Sequence, residues 1–127
     1  MRVQFVNPHN GSNMYAAPKF FRYASKVSNN LNYNATGALF PPLNLATLAA
    51  LTPAEHEVAI HDGCLGPLTA NRSADLVAIT AMTAQAPAAY SLADQYPGRG
   101  IPVVLGGIHP SMCPEEDGQH ADAVVLG

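Results

Sequence analysis

The sequence predicts an α/β domain built on a doubly wound, five-stranded parallel sheet with helices on both faces. Two observations lead to this prediction. Short apolar runs that end at Gly, Pro, Asn or Thr recur along the chain, and such runs are typical of strands covered on both faces of a parallel sheet. Segments with apolar residues at helical spacing lie between the runs, so strands and helices alternate.

Five of these runs are the predicted strands, because each is short and rich in aliphatic or β-branched residues. They cover residues 3–6, 58–61, 76–80, 102–105 and 123–126. Parallel strands joined by right-handed crossovers form a doubly wound sheet, and among the available orders we predict the flavodoxin-like order 2-1-3-4-5.

Three helices are predicted between the strands. Residues 43–51 and 86–96 place apolar side chains on one helical face. The two faces comprise Leu45, Leu48 and Ala49 in the first helix and Ala89, Leu92, Ala93 and Tyr96 in the second. A weaker helix begins near Pro114, whose ring suits a first helical position and whose acidic followers complement the helix dipole. For residues 63–74 we predict an irregular crossover or a single helical turn.

The length of 127 residues fits one domain, 1–127. Residues 7–42 are an irregular insertion rich in Asn and aromatic residues, and we expect this segment to cross a sheet edge or to meet a partner because long loops inside compact domains are unusual. The last predicted strand runs to Gly127, which leads us to expect a fragment of a longer protein.

Composition excludes several classes of function. Charged residues are 12% of the chain and the net charge is −3, which disfavours a nucleic-acid partner. The apolar runs are too short for a membrane span, and the N-terminus does not have the pattern of a signal peptide, so we expect a cytoplasmic protein. Cys64 and Cys113 fit no disulfide or zinc framework by their spacing and are expected to be free thiols.

The candidate site lies where the strands end, since doubly wound sheets bind ligands outside the carboxyl ends of their strands. Small and hydroxylated residues recur there, which leaves room for a large ligand. These residues are Thr80, Ala81, Thr83, Gly106 and Gly107. The chain has neither the G-x-G-x-x-G nor the G-x-x-x-x-G-K-[ST] pattern, which disfavours a dinucleotide or a nucleoside triphosphate held by a phosphate loop.

Four segments carry a family resemblance: PPLNLATLAAL (41–51), ADLVAITAMTAQAPAAYSLAD (74–94), GIPVVLGGIHPSMCPEE (100–116) and ADAVVLG (121–127). Together they resemble the N-terminal cobalamin-binding domain of B12-dependent radical S-adenosylmethionine (SAM) enzymes. That group includes methyltransferases and the anaerobic magnesium-protoporphyrin monomethyl ester cyclase. The resemblance implies that a corrinoid ring lies over the carboxyl ends of the strands, with its nucleotide tail between sheet and helices.

The resemblance also implies roles for the residues at the strand ends. Gly106 and Gly107 are expected to let a flat ligand approach the backbone, and Thr80 and Thr83 to donate to the ribose or phosphate of the tail. His109 is expected to bond a corrin amide or the phosphate, with a bond to a backbone carbonyl as the alternative. Ala81, Asn7 and Gly127 complete the expected cofactor-binding set.

A protein ligand to cobalt is not expected. Relatives that bind cobalt through histidine carry D-x-H-x-x-G after the first strand, whereas this chain has Asn7 in place of the aspartate and Gly11 one position early. His9 is therefore a poor copy of the axial ligand. We expect base-off cobalamin with no protein imidazole on the metal.

In the full-length enzyme the resemblance implies a downstream radical SAM domain that holds a [4Fe-4S] cluster and SAM. Two cysteines cannot form the three-cysteine cluster site, so this chain is expected to be the non-catalytic cofactor module. Methyl transfer and oxidative ring closure stay open. Two other functions also stay open: a doubly wound interaction module without a cofactor, and a flavin or mononucleotide binder.

Overall fold

The computed structural model describes residues 1–8, 42–63, 68, 70, 73–96, 98 and 100–127. The predicted insertion 7–42 lies outside the described residues except at its two ends. His9, Gly11, Cys64 and most of the crossover between the second and third strands also lie outside them.

The described residues form one five-stranded parallel sheet in the order β2-β1-β3-β4-β5, as predicted. Its strands are β1 (Arg2–Asn7), β2 (Glu57–Asp62), β3 (Leu76–Thr80), β4 (Val103–Gly106) and β5 (Ala123–Val125). Each predicted strand is present, with ends shifted by one residue at most positions. The order makes β1 a central strand that pairs with both β2 and β3.

The expectation that every strand is buried on both faces is wrong for the two edge strands. Strand β1 is almost wholly buried, and β3 and β4 alternate between buried and half-buried residues. In β2 and β5 the residues are exposed or half-buried. Among the described residues, the buried strand side chains of the two core clusters come from β1, β3 and β4, so the faces of β2 and β5 are covered less.

Two helices cover opposite faces of the sheet, which confirms the doubly wound architecture. Helix α1 (Leu43–Leu51) places Leu45 against Val3 and Phe5 of β1. Burial of a side chain such as Leu45 contributes roughly 1.5–3 kcal/mol to folding. Leu48, predicted on the same face, is exposed instead, because Leu45 and Ala49, one turn apart, form the face that meets the sheet.

Helix α2 (Ala86–Ala93) covers the other face and follows a short 3-10 turn at Thr83–Gln85. Its buried residues, with Tyr96 just beyond the helix, pack on Ile79 and Leu105 from β3 and β4. The helix was predicted to continue to residue 96 but ends at Ala93, where the next residues form a turn closed by the bond from the Tyr96 amide to the Ala93 carbonyl. Tyr96 is still completely buried.

Two short helices follow β4. Helix α3 (Ile108–Met112) begins directly after the glycine turn, and α4 (Pro114–Asp117) begins at the predicted proline. Helix α3 was not predicted, because Pro110 and the preceding glycines interrupt any helical pattern in the sequence. It places His109 on a helix rather than in a loop.

Candidate functional site

The carboxyl ends of β3 and β4 are joined by backbone hydrogen bonds. The Ala81 amide donates to the Gly106 carbonyl, and the His109 amide donates to the Ala81 carbonyl, both at 3.0 Å. Thr80 and Gly106 are direct partners across the two strands. Four of the predicted site residues therefore lie together, and their relative positions are set by main-chain contacts.

Gly107 is required by the packing of the chain itself. Its φ is +103°, and a Cβ at this position would lie 2.8 Å from the Thr80 Oγ1 and 3.1 Å from the Ala81 carbonyl oxygen. L-residues rarely adopt such a φ. Real Cβ atoms essentially never approach another atom to 2.8 Å, and a 3.1 Å approach would require the neighbouring atom to shift. The absent side chain thus allows the turn after β4 to close onto the end of β3.

Gly106 differs from its neighbour. A Cβ there would meet only Val125, at 3.6 Å from that residue's Cβ, which is an ordinary van der Waals distance. The fold would accept alanine at position 106. The structure therefore distinguishes the two glycines: the turn requires glycine at position 107 but not at position 106.

Thr80 is held by a residue that the sequence did not suggest. The Asn44 side-chain amide, in the first turn of α1, donates to the Thr80 Oγ1 at 2.7 Å. A hydroxyl that accepts one bond keeps its own proton to donate. Thr83 lies at the start of the 3-10 turn with its side chain exposed.

Asn7 lies in a buried amide network at the end of β1. Its Nδ2 donates to Asp62 at the end of β2 at 3.0 Å, and its Oδ1 accepts from the Gln85 Nε2 at 2.9 Å. Gln85 also donates to the Pro8 carbonyl at 2.7 Å and accepts from the Met82 amide at 3.0 Å. The structure thus commits the Asn7 side chain to protein partners. Sequence reasoning missed Gln85 because its partners are distant along the chain.

His109 is buried and turned into the protein. Its Nε2 lies 2.9 Å from the Tyr90 hydroxyl of α2 and 3.7 Å from an oxygen of Asp117. The Tyr90 hydroxyl also donates to Asp117 at 3.3 Å. In the described part of the chain, His109 Nδ1 and Asp117 Oδ1 are buried without a hydrogen-bond partner. Nε2 already has a side-chain partner in Tyr90. The expected bond from His109 to a ligand stays a prediction.

Tyr90 connects this cluster to a second histidine. Its ring stacks on His120 with centroids 4.2 Å apart, and His120 Nδ1 lies 2.8 Å from Asp94. Burial, followed by the negative charges of Asp117 and Glu116, raises the pKa of the Tyr90 phenol above its ordinary value. The phenol therefore keeps its proton and remains a hydrogen-bond donor throughout the neutral range.

Gly127 is bound to the turn after β4 through one hydroxyl. The Ser111 hydroxyl donates to the Gly107 carbonyl at 2.7 Å and accepts from the Gly127 amide at 3.1 Å. Gly127 has a φ of +150° with open space where a side chain would be. It thus lies next to Gly107, as the predicted site requires.

Exposed apolar side chains surround these small residues at the carboxyl ends of the strands. We call them the apolar rim, and they are Met82, Ile108, Val125 and Leu126. Ile108 is 65% exposed and Met82 44%. In the described part of the chain, no helix has the length and apolar character that a bilayer crossing requires.

Comparison with known proteins identifies relatives along most of the chain. A bacteriochlorophyllide d C-8(2)-methyltransferase of Chlorobaculum tepidum is 40% identical over 84 residues, which cover 65% of this chain and 19% of the relative. The C-12(1)-methyltransferase of the same organism is 34% identical over 94 residues, covering 72% and 21%. An uncharacterised methyltransferase of Pyrococcus horikoshii is 36% identical over 104 residues, covering 72% and 23%.

The chain spans about a fifth of the length of these curated relatives. No solved structure matches it at a significant level. The family model of the B12 binding domain matches residues 32–127, a range that contains α1, the strands β2 to β5 and the glycine turn after β4. This chain belongs to the B12-binding domain family.

Proposed function

We propose that the chain binds cobalamin in the base-off form, with the corrin ring on the apolar rim and the nucleotide tail beside Thr80. The single observation that supports this site best is the combination of exposed apolar side chains with the small residues Thr80, Ala81 and Gly106 at the ends of β3 and β4. A broad ligand with an apolar body and polar edge groups suits such a surface.

The donor set fits the polar part of the same ligand. The Thr80 hydroxyl is oriented by Asn44 at 2.7 Å and retains a proton for a ribose or phosphate oxygen. Gly106 carries no side chain and has only Val125 in van der Waals range of a Cβ, so a ligand can approach the strand end there. Thr83 and Gly127 remain proposed contacts, whereas the Ala81 side chain is buried in the core and can offer only its backbone.

The proposal that no protein imidazole binds cobalt is supported by the position of the histidine near the site. His109 has its imidazole among Tyr90 and Asp117 and is not on the rim, so it is a poor candidate for a cobalt ligand. Asn7, in the position of the motif's aspartate, is bonded to Asp62 and Gln85. His9 lies outside the described residues, and its exclusion as a ligand stays a prediction.

For the whole protein we propose a radical SAM methyltransferase in which this chain is the N-terminal module. Two relatives are named as bacteriochlorophyllide methyltransferases, which favours methyl transfer over the oxidative cyclisation of the magnesium-protoporphyrin group. When bound, cobalamin supplies a methyl group carried on cobalt. The [4Fe-4S] cluster, SAM and the downstream domain belong to this proposal, and the cytoplasmic location stays a prediction from the sequence.

Retention of hydroxocobalamin tests the binding site directly. Purified chain is mixed with the cofactor and desalted, and the visible absorption of the protein fraction gives the bound stoichiometry. We expect about one cofactor per chain, and a visible spectrum that shows base-off coordination. Ile108→Asp places a charge on the apolar rim and should abolish retention. Leu51→Asp is the matched control, because Leu51 is an exposed residue at the far end of α1.

The outcomes separate the proposal from its alternatives. A colourless wild-type fraction contradicts cobalamin binding by this chain and favours the interaction module. Selective thermal stabilisation by flavin mononucleotide, without an effect of cobalamin, would favour the flavin binder. If the Ile108→Asp variant retains as much cobalamin as the wild type, the corrin ring does not lie on the apolar rim.

A further inference from the structure

Three side chains of the kinds that bind transition metals converge beside the turn after β4. They are His109, Cys113 and Glu116, and one potential ligand atom from each lies within 4.8 Å of the others. Cys113 is a half-buried free thiol. Cys113 was expected to be a free thiol from its spacing to Cys64, whereas this group combines Cys113 with a histidine and a carboxylate.

The local fold explains why these residues meet. The Cys113 amide donates to the His109 carbonyl at 2.9 Å, which closes one helical turn between the two residues. The Glu116 amide then donates to the Cys113 carbonyl at 3.1 Å at the start of α4. A spacing of four residues is one that zinc proteins use for two ligands on a single helical turn.

A second observation concerns the imidazole. The His109 side chain is 7% exposed, and its Nδ1 is buried with no hydrogen-bond partner among the described residues. A buried polar atom left unpaired costs roughly 1–3 kcal/mol. A bound cation would use one ring nitrogen and remove that cost.

The surroundings of His109 resemble the support that metal-binding histidines receive. Such residues bond their second ring nitrogen to a carboxylate or a hydroxyl, which fixes the orientation of the ring. Here the Tyr90 hydroxyl lies 2.9 Å from Nε2, and a carboxylate oxygen of Asp117 lies 3.7 Å from it. Asp117 is completely buried, so the support is rigid.

The charge of the cluster also favours a cation. Glu116 and Asp117 bring two carboxylates next to Cys113 and Tyr90. Among the described residues the only arginine or lysine is Arg2, which pairs with Asp75 at 3.5 Å. Both Arg2 and Asp75 lie at the amino ends of β1 and β3, on the opposite edge of the sheet from the turn after β4.

We propose that His109, Cys113 and Glu116 bind one divalent cation of the zinc class. A thiolate together with an imidazole and a carboxylate suits Zn²⁺ and disfavours Mg²⁺ and Ca²⁺. In a tetrahedral zinc site the ligand atoms lie roughly 3.3–3.8 Å apart, so closure needs side-chain shifts of about 1 Å. The exposed Glu116 side chain has the freedom to make them. This site is separate from the cobalamin site and needs no cofactor.

The test uses the untagged 127-residue chain, free of cobalamin and fully reduced. Competition with a chromophoric chelator measures the affinity for Zn²⁺ and its stoichiometry. Binding of the aqueous Co²⁺ ion provides a second readout, because thiolate coordination gives an intense ligand-to-metal absorption band and tetrahedral geometry gives strong visible bands. We expect one ion per chain with both signatures.

Two pairs of variants identify the ligands. Cys113→Ser and Glu116→Gln should each weaken Zn²⁺ binding by at least about tenfold, since loss of even an outer partner costs 10–100-fold at known sites. Cys64→Ser and Glu115→Gln are the matched controls and should bind as the wild type does. Thermal unfolding in the presence of a chelator verifies that each variant folds.

The proposal is overturned if the wild-type chain binds no stoichiometric Zn²⁺, or if Cys113→Ser leaves the affinity and the thiolate band unchanged. Because cobalamin is absent from every sample, failure here leaves the cobalamin proposal intact, and failure of cobalamin retention leaves this one intact.

Discussion

The Gln85 Nε2 donates to the side-chain Oδ1 of Asn7 at 2.9 Å, although the two residues are 78 positions apart. Asn7 ends β1, and Gln85 closes the 3-10 turn after β3. In the observed strand order the crossovers reverse direction between β1 and β3, and such a point is where doubly wound sheets form their ligand crevice. The Gln85 side chain therefore connects the segments that follow β1 and β3 on either side of that point.

Replacing Gln85 with alanine should destabilise the fold by about 2 kcal/mol or more. The change leaves Asn7 Oδ1, the Pro8 carbonyl and the Met82 amide without the partners they have now, and unpaired buried groups are costly. Gln95→Ala is the control, because Gln95 is exposed and its side chain donates to the Ser91 carbonyl one turn before it. Urea unfolding measures both, and equal stability of the two variants would contradict the role of Gln85.

Gly107→Ala should cost at least about 2 kcal/mol of stability and should also weaken cobalamin binding. The φ of +103° and the 2.8 Å approach to the Thr80 Oγ1 are both unfavourable for a residue with a Cβ. Gly98→Ala should stay within about 0.5 kcal/mol, since a Cβ there has nothing within 4 Å. Thermal unfolding compares the two variants, and a neutral Gly107→Ala would show that the turn can relax.

Thr80→Val should weaken cobalamin binding about five- to tenfold while the fold is retained. The substitution keeps the shape of the side chain but removes the hydroxyl that Asn44 orients, and one hydrogen bond contributes about 1 kcal/mol. Thr47→Val is the control, because the Thr47 hydroxyl bonds the Leu43 carbonyl within its own helix. Cofactor titration followed by absorbance gives both dissociation constants. Unchanged affinity in Thr80→Val would exclude Thr80 from the site.

Tyr90→Phe should destabilise the fold by about 1–3 kcal/mol at neutral pH. The reason is that His109 and Asp117 lose the Tyr90 hydroxyl, which is a partner of both. Phenylalanine keeps the ring that stacks on His120 at 4.2 Å. The pKa of Tyr90 is raised in the folded state, whereas the tyrosine of the unfolded chain ionises near pH 10. Stability contributed by the folded phenol is thus fully present below about pH 10 and falls above it.

The stability difference between wild type and Tyr90→Phe should consequently shrink as the pH rises through 10. Urea unfolding at a series of pH values from neutral to alkaline measures this dependence. A difference that stays constant or grows with pH would mean that the folded phenol is not protected from ionisation.

The strands and most of the core were predictable because they leave local patterns, whereas the strand order was chosen from the known orders of doubly wound sheets. Apolar runs such as Leu76–Thr80 and the spacing of Ala89 and Ala93 are visible in short windows of sequence. Helix α3 was not predictable, because Gly107 directly precedes this five-residue helix and Pro110 lies within it, and both residue types disfavour a helical prediction. Long-range side-chain bonds, such as those of Gln85 and of Asn44 to Thr80, leave no local signal at all.

The site was predicted in part for a similar reason. Strand ends can be located from sequence, and this placed Thr80, Ala81, Gly106 and Gly107 together correctly. The direction of a side chain depends on its neighbours in space. The inward orientation of His109, for instance, follows from Tyr90 on another helix.

The central position of β1 has a practical consequence for anyone who clones this domain. The family match begins at residue 32, but β1, at Arg2–Asn7, supplies the hydrogen bonds that connect β2 to the other three strands. A gene fragment trimmed to the matched region would lack β1 and would leave β2 without its neighbour in the sheet. The first seven codons are as necessary as the glycine turn for a protein that folds.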